Sequence, residues 1–273
     1  MSSPIDPTRE ELRARGQAAG RALAGPAFDA LVEQVRSEFD ADLADLLVET
    51  FFGRVMARPA LDLPTRQLVT VAALATLGSP PQLAWHIDAA LNVGVTKEAL
   101  REALIMVVPY SGWSFGLNGL RVFREVVQAR EPGVPPSLGE TAAAPDSADR
   151  ATLRERGRDN ALKVNAAFPK VEAGLNEIDP DLGPLLLESA YGQVYGRPGL
   201  ELRRREFVSV ALLTVAEQPA QLKYHITGAL NAGGTPDEIK EVIIQMGLLR
   251  GWPTTLNGLT AWKEVMDRRN GAG

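Results

Sequence analysis

Residues 86–96 read HIDAALNVGVT, and residues 225–235 read HITGALNAGGT. A single shift of 139 residues, from 86 to 225, superimposes the two runs. Without a gap, the same shift pairs identical residues over most of each half: Asp42 with Asp181, Glu49 with Glu188, Gly53 with Gly192, Arg66 with Arg205, Gln82 with Gln221, Trp113 with Trp252, and Asn118 with Asn257. Chance does not hold one alignment over such a span, so the chain is a tandem duplication.

The composition between the two copies predicts where they separate. Residues 131–149 read EPGVPPSLGETAAAPDSAD, which is rich in Pro, Gly, Ala and Ser and has no hydrophobic period. Such a segment is typical of a linker. We therefore predict a first unit over residues 1–130, a linker over 131–149, and a second unit over 150–273.

Hydrophobic periodicity predicts that both units are built from helices. Asp42–Ala57 has apolar residues at helical spacing, and Arg58-Pro59 ends that helix. Pro64–Leu77 is almost entirely apolar, which predicts a helix covered on all sides. Thr96 and Thr235 are predicted to cap the helices that follow them. No segment alternates with period two over β-branched residues, so the predicted fold class is all-α.

Composition limits the classes of function. The formal net charge of -5 does not attract phosphate backbones, so we expect no nucleic-acid partner. The chain has no cysteine, which excludes disulfides, thiolate nucleophiles and zinc–cysteine sites. The first residues lack the apolar core of a signal peptide, and the apolar run near residues 69–77 is too short to span a bilayer. We therefore expect a cytoplasmic protein with no membrane partner.

The two histidines of the chain, His86 and His225, are equivalent in the repeat. Ser79-Pro80-Pro81-Gln82 predicts a capping box at the start of the helix that carries the first of them. Imidazole is the side chain best suited to moving a proton near neutral pH, so both are candidate catalytic residues. The alternative is a purely structural histidine that bonds a neighbouring carbonyl, which is the commoner role of a lone helical histidine.

Two further pairs of charged residues recur in both copies. Glu49 and Glu188 are candidate catalytic carboxylates that orient or reprotonate the histidines, or else they are solvated helix residues. Arg66 and Arg205 lie in the first turn of an otherwise apolar helix. They are candidates for holding a substrate carboxylate through two parallel hydrogen bonds, or else they pair with a neighbouring acidic group.

Two pairs of uncharged residues are candidates for lining a substrate pocket. Trp113 and Trp252 each follow a glycine at a helix start, although core packing is the commoner role of such a residue. Asn118 and Asn257 lie inside helices, where asparagine requires a hydrogen-bond partner. Pocket lining and structural bonding are both open for this second pair.

The copies also differ at informative positions. Pro109-Tyr110 is equivalent to Leu248-Leu249, and Gln67 is equivalent to Glu206. Tyr110 is therefore a candidate substrate-binding residue that one copy alone possesses. These differences suggest that one copy has kept a working pocket while the other has drifted.

The runs that follow His86 and His225 resemble the carboxymuconolactone decarboxylase family, in which a histidine precedes an Ala-Leu-Asn-x-Gly-x-Thr segment. Arg197-Pro198-Gly199-Leu200, with Arg205 before an apolar helix, is similar to that family as well. The resemblance covers both units. It implies two tandem helical units of the alkylhydroperoxidase D-like fold and a homo-oligomer, either a trimer or a dimer of tandem units.

The resemblance implies one of two chemistries. The decarboxylase branch removes CO2 from a carboxylated muconolactone without a metal or an organic cofactor. The alkylhydroperoxidase D-like branch uses a CxxCxxxH motif, and the absence of cysteine excludes its thiol peroxidase reaction. The cysteine positions of that motif are here Ser79, Gln82, Gln218 and Gln221. The same branch has an upstream glutamate, whose spacing makes Glu206 a candidate catalytic residue and puts a proton relay through Gln67 in doubt.

The leading hypothesis is a cofactor-free acid/base enzyme that acts on a small carboxylated lactone or a related ketone. An arginine would hold an anionic group, loss of CO2 or of a proton would leave a dienolate, and a histidine would protonate carbon. An isomerase or a cyclase of the same fold is an alternative. A silent ligand-binding or assembly module is the rival from another class. A metal enzyme is disfavoured because two histidines in separate units do not supply three ligands.

Overall fold

A computed structural model describes residues 7–139 and 149–271 of the chain. Within these ranges every regular element is a helix, so the predicted all-α fold class is confirmed. The helices of the first unit are α1 (Arg9–Ala24), α2 (Pro26–Glu38), α3 (Ala41–Leu46), π1 (Leu47–Met56), α4 (Leu63–Leu77), α5 (Pro80–Asn92), α6 (Lys97–Ser111) and α7 (Trp113–Arg130). The helices of the second unit are α8 (Arg150–Val164), α9 (Phe168–Ile178), α10 (Leu182–Leu186), π2 (Leu187–Val194), α11 (Leu202–Val215), α12 (Pro219–Asn231), α13 (Pro236–Arg250) and α14 (Trp252–Arg269).

Between the units, residues 131–139 form no helix, and the remainder of the predicted linker up to residue 148 lies outside the described residues. The proposed unit boundaries therefore remain predictions. Within the two described ranges, no helix has the combination of length and apolar composition that crossing a membrane requires.

The helix starts agree with the sequence at two caps and differ at a third. The side chains of Thr96 and Thr235 accept backbone hydrogen bonds at the starts of α6 and α13, as predicted. The predicted capping box at Ser79 is wrong, because its side chain makes no capping hydrogen bond. The backbone of Ser79 has ψ 72°, whereas Thr96 and Thr235 have the extended ψ of 155° and 154° that accompanies their capping bonds.

Two π-helices interrupt the predicted helical pattern. The helix predicted over Asp42–Ala57 is α3 followed by π1, and the second unit repeats this arrangement with α10 and π2. A π-helix bonds each carbonyl to an N–H five residues later, and such turns are often found at functional sites. The side chain of Tyr195, directly after π2, belongs to the site described below.

Glycine pairs bring the N-terminal helix of each unit close to its π-helix. A Cβ on Gly16 would lie 2.1 Å from a carbonyl oxygen of π1, and a Cβ on Gly53 would lie 2.3 Å from a carbonyl oxygen of α1. Gly157 and Gly192 form the equivalent contact between α8 and π2. Any larger residue would force the two backbones apart, which accounts for glycine in both copies.

The two units share the larger of two hydrophobic clusters, and the smaller one, around Phe28 and Phe52, belongs to the first unit. Helices α4 and α11 pack against each other at the centre of the larger cluster, while α6 packs on α11 and α13 packs on α4. One continuous cluster contains fully buried residues of both units, among them Val71, Leu104, Val210 and Ile243. Because α6 of the first unit lies against α11 of the second, its last turn reaches the second unit's histidine.

Candidate active site

His225, on α12, lies at the wall of a cavity of about 520 Å³. Its Nδ1 is 2.9 Å from Oε2 of Glu206 on α11, and both side chains are buried. An ionised carboxylate only accepts hydrogen bonds, so Nδ1 carries the proton that is donated to Glu206. This tautomer leaves Nε2 as the free nitrogen, 3.2 Å from the hydroxyl of Tyr110.

Three hydroxyl groups complete the cluster. Tyr195 donates to Oε1 of Glu206 at 2.7 Å, and Ser209 donates to a backbone carbonyl of its own helix at 3.0 Å. The hydroxyl of Tyr110 lies 2.8 Å from those of both Tyr195 and Ser209. Because Ser209 donates its only proton to a backbone carbonyl, Tyr110 donates its proton to Ser209, and its hydroxyl also lies within hydrogen-bond distance of Nε2 of His225.

Burial keeps these phenols protonated. Loss of water raises the pKa of Tyr110 and of Tyr195 well above the ordinary value, and the nearby charge of Glu206 raises both further. In the same cavity, burial raises the pKa of Tyr224 to about 12. Tyr110 is therefore a hydrogen-bond donor at neutral pH and does not act as a base.

Tyr110 belongs to the first unit although it completes the cluster of the second. It lies in the last turn of α6, directly after Pro109, and both residues line the cavity. Its ring meets the imidazole of His225 edge to face, with ring centroids 5.5 Å apart. The site is thus formed across the boundary between the two units.

His86, in the first unit, has different surroundings. Its Nδ1 is 2.8 Å from Oε1 of Gln67, an uncharged amide, and its ring meets that of Trp85. The residues equivalent to Tyr195, Ser209 and Tyr110 are Met56, Thr70 and Leu249. Burial lowers the pKa of His86 to about 3, so the ring is neutral at physiological pH and has no proton to deliver from an imidazolium.

The model of the carboxymuconolactone decarboxylase family matches residues 41–125 and 180–264, once in each unit. The chain belongs to the carboxymuconolactone decarboxylase family. The tandem arrangement deduced from the repeat is therefore a tandem of two family units, and the resemblance is confirmed.

Two named relatives each align with about one unit of this chain. A 4-carboxymuconolactone decarboxylase of Acinetobacter baylyi is 32% identical over 91 residues, which cover 33% of this chain and 68% of the relative. A nitrosuccinic acid decarboxylase, npaB, of Metarhizium robertsii is 28% identical over 121 residues, which cover 42% of this chain and 85% of the relative. Both names are those of decarboxylases, which supports a decarboxylase-like function at the level of the family.

Glu49 and Glu188, the two carboxylates predicted to assist the histidines, instead bind the first helix of their own unit. Glu49 and Glu188 accept hydrogen bonds from arginines one turn apart on α1 and α8. The partners are Arg9 and Arg13 for Glu49, and Arg150 and Arg154 for Glu188. These hydrogen bonds lower the pKa of both carboxyl groups. The structure thus places arginines, in place of imidazoles, against these two side chains.

The predicted substrate-binding arginines bind glutamates across the unit boundary. Each network contains one buried glutamate and two arginines of the other unit: Glu102 with Arg197 and Arg205, and Glu241 with Arg58 and Arg66. Arg66 and Arg205 are almost completely buried, and neither lines the cavity of His225. The second of the two alternatives for these arginines, an ion pair, is the arrangement observed.

The predicted tryptophans and asparagines lie away from His225. Trp113 is 72% exposed and Trp252 is 58% exposed, and Asn118 and Asn257 are exposed as well. None of these four residues lines the cavity of His225. Of the residues predicted from sequence, the structure therefore brings His225, Glu206 and Tyr110 together. In the ranges 7–139 and 149–271, no group of three potential metal-binding side chains is found.

The buried imidazole of His86 has a consequence for stability at acid pH. Its pKa falls from 6.5 to about 3 on folding, so between these values the unfolded chain binds a proton that the folded chain does not. This contribution to stability is intact above pH 6.5 and is lost as the pH falls. Between pH 7 and pH 5, His86 is expected to lower the free energy of unfolding by about 2 kcal/mol.

The variant His86→Gln removes that titration while keeping a polar side chain next to Gln67. Urea unfolding at pH 7 and pH 5 would then show a smaller acid loss than in the wild type, by about 2 kcal/mol. An equal acid loss in the two proteins would show that His86 titrates normally in the folded state.

Proposed function

We propose that this chain is a cofactor-independent acid/base enzyme whose working site is the cavity of the second unit. The observation that carries the proposal is the buried pair of His225 and Glu206, joined at the cavity wall by the hydroxyl of Tyr110. The proposed reaction is decarboxylation of a small carboxylated lactone or a related ketone, in keeping with the names of the two relatives. The first unit supplies Tyr110 and half of the core.

Each group has a definite task in the proposed reaction. The bond from the α-carbon to the carboxylate breaks, CO2 leaves, and the electron pair remains as an enolate. Tyr110 donates a hydrogen bond to the enolate oxygen, where negative charge develops. For this reaction His225 takes up a proton from water on Nε2, and the imidazolium transfers that proton to carbon to form the new C–H bond. Glu206 is a positioning residue that holds Nδ1–H and stabilises the imidazolium.

Isomerisation is the competing reaction. There His225 would first remove a proton from carbon and return it at another position, with no loss of CO2. Both reactions require proton transfer between His225 and the α-carbon of a carbonyl compound. By microscopic reversibility, a decarboxylase of this type also exchanges the α-hydrogens of its ketone product with water.

That exchange provides the test of the proposed function. A panel of cyclic ketones and lactones, with and without a carboxylate, is incubated with the enzyme in D2O, and deuterium at the α-carbon is followed by NMR. We expect enzyme-dependent exchange with at least one member, and we expect Tyr110→Phe to lower its rate by about 10²-fold. Release of CO2 from the carboxylated members separates decarboxylation from isomerisation. Exchange that is equally fast with His225→Gln would refute the proposal.

A glycine provides the space for the carboxylate of Glu206. A Cβ on Gly228 would lie 2.3 Å from Oε2, and the first unit has Ala89 at the equivalent position beside its uncharged glutamine. Gly228→Ala is therefore expected to displace the carboxylate from Nδ1 of His225 and to lower kcat/KM by about 10²-fold. Alanine is a better helix former than glycine, so reduced helix propensity does not predict this loss.

The matched control for this prediction is Ala89→Gly, which should leave kcat/KM unchanged. Both variants are assayed for exchange or CO2 release, and their thermal unfolding midpoints are compared with that of the wild type. Full activity in Gly228→Ala would show that the position of the carboxylate is not critical.

We also propose that the chain assembles with copies of itself. Large apolar side chains are exposed at equivalent positions of the two units. The pairs are Phe39 with Ile178, Leu46 with Leu185, Trp113 with Trp252, and Leu117 with Leu256. Exposure that recurs in both copies favours a common contact surface over scattered exposed residues.

Analytical ultracentrifugation tests this assembly. The wild type is expected to sediment as a dimer or a trimer of the 29.4 kDa chain. The double variant Trp113→Ser with Trp252→Ser is expected to shift toward the monomer without a change in helical circular dichroism. A monomeric wild type would contradict the assembly proposal.

A further inference from the structure

The wall of the second-unit cavity has no cationic side chain that is permanently charged. None of the residues that line it is an arginine or a lysine. The segments outside the described ranges, residues 1–6, 140–148 and 272–273, contain neither residue type. The buried carboxylate of Glu206 lies behind His225, so the fixed charge beside the cavity is negative.

Arg205, which precedes Glu206 on α11, has a buried guanidinium that already makes hydrogen bonds to other groups of the protein. Arg205 donates to Glu102 at 3.1 Å and to two backbone carbonyls, at 2.7 and 3.0 Å. Its remaining nitrogen, Nη1, is buried and does not reach the cavity wall. Among the residues that line this cavity, a substrate carboxylate would therefore find no cation other than the imidazolium that His225 forms in the proposed reaction.

The rest of the wall is apolar and aromatic. Val171, Leu186 and Leu213 form aliphatic surfaces, and the rings of Tyr191 and Tyr224 form aromatic ones. A cavity of about 520 Å³ lies within the range of sites that enclose drug-sized ligands. Such walls favour a ring skeleton with little polar surface, which can pack against the aromatic side chains.

We propose that the substrate is a β-keto acid on a largely apolar ring skeleton, and that its single carboxylate is the one removed. This inference rests on the proposed function and names the substrate class of the same site. Apolar walls disfavour a localised carboxylate and favour neutral CO2 with a delocalised enolate. Tyr110 donates to the ketone oxygen that becomes the enolate oxygen, and the proton of His225 Nε2 replaces the lost carboxylate on carbon.

A second carboxylate on the ring is expected to be rejected. It would find no arginine or lysine among the residues that line the cavity, and it would lie close to the negative charge of Glu206. Like charges in a desolvated site lower affinity strongly, so we expect kcat/KM for the dianion to be lower by about 100-fold or more. The enzyme would thus differ from one that grips a dicarboxylate through an arginine.

Two synthetic probes test this inference. The first is α-tetralone that bears a carboxylate on its α-carbon, and the second has an additional carboxylate on the aromatic ring. Release of CO2 above the enzyme-free rate gives kcat/KM for each. We expect the monocarboxylate to be the better substrate by about 100-fold or more. Equal values for the two probes, or no CO2 from the monocarboxylate, would overturn the inference.

A charge added at the cavity supplies the matched variant. Gln221 is exposed and lines the cavity, so Gln221→Arg offers the second carboxylate a partner. The preference for the monocarboxylate is expected to shrink by at least about tenfold. Gln82→Arg, at the equivalent exposed position of the first unit, should leave the preference unchanged. A preference that is unaltered in Gln221→Arg would show that charge does not set the selectivity.

Deuterium exchange separates failure of this inference from failure of the proposed function. Carboxylate-free α-tetralone is incubated with the wild type and with His225→Gln in D2O. Exchange that depends on His225 supports the proposed function even where the two carboxylated probes react equally. Absence of such exchange for α-tetralone and for every other compound of the panel refutes the function and the substrate class together.

Discussion

Replacing His225 with glutamine is expected to lower kcat/KM by about 10³-fold, the usual contribution of a positioned acid or base. The same replacement at His86 is expected to leave kcat/KM unchanged. The reason lies in the partners of the two rings. A carboxylate bonds Nδ1 of His225, whereas the amide of Gln67 bonds Nδ1 of His86 and carries no charge to stabilise an imidazolium.

The assay for this pair of variants is release of CO2 or exchange of α-deuterium under conditions where the wild type is saturable. A third variant, Glu206→Gln, gives the second unit the amide of the first. It is expected to lower kcat by about 10²-fold with KM little changed, since Glu206 acts through His225. Glu206→Asp, which keeps a carboxylate, should lower kcat less than Glu206→Gln does. A large loss in His86→Gln with full activity in His225→Gln would assign the working site to the first unit.

The fold could be predicted from sequence because it depends on features that recur at fixed spacing. The structure has helices over the periodic segment Asp42–Ala57 and over the apolar run Pro64–Leu77. The two units, related by the shift of 139 residues, have the same order of helices. The π-helices could not be predicted in this way, because a period near 3.6 residues does not reveal one wider turn. The cap at Ser79 fails for a local reason, because its backbone does not have the extended conformation of the caps at Thr96 and Thr235.

The site was only partly predictable, because its members come from elements far apart in the chain. Tyr110 and Glu206 were found as differences between the copies, and they do lie together. Extending the same comparison finds Tyr195, which is equivalent to Met56, and Ser209, which is equivalent to Thr70. Tyr195 and Met56 differ in chemistry, and this difference is visible when the two copies are aligned by sequence alone.

Identity between the copies proved a weaker guide to chemistry than difference. Glu49 and Glu188 are the same residue in both units, and both hold the N-terminal helix through arginines. Arg66 and Arg205 are also identical, and both cross the unit boundary to a glutamate. Packing needs are the same in the two units and keep such residues alike, whereas a site that functions in one unit leaves the other free to change.

Removing the carboxylate of Glu102 is expected to lower the free energy of unfolding by about 3–5 kcal/mol, because it leaves buried guanidinium groups without a counter-charge. Glu102 is fully buried and bonds Arg197 at 2.9 Å and Arg205 at 3.1 Å. Burial lowers the pKa of Arg205, and the charge of Glu102 opposes that shift. Glu102→Gln keeps the shape of the side chain and removes only the charge.

Urea unfolding of Glu102→Gln measures this loss, and Asp267→Asn is the control because its ion pair with Lys263 is largely exposed and should contribute little. The variant Arg205→Met then decides between the two roles of this arginine. A structural role predicts a loss of stability with KM unchanged, and a smaller loss in the double variant Glu102→Gln with Arg205→Met than the sum of the single losses. A rise in KM in Arg205→Met without a loss of stability would instead assign the arginine to the substrate carboxylate, and the cavity would then have the cation that its walls lack.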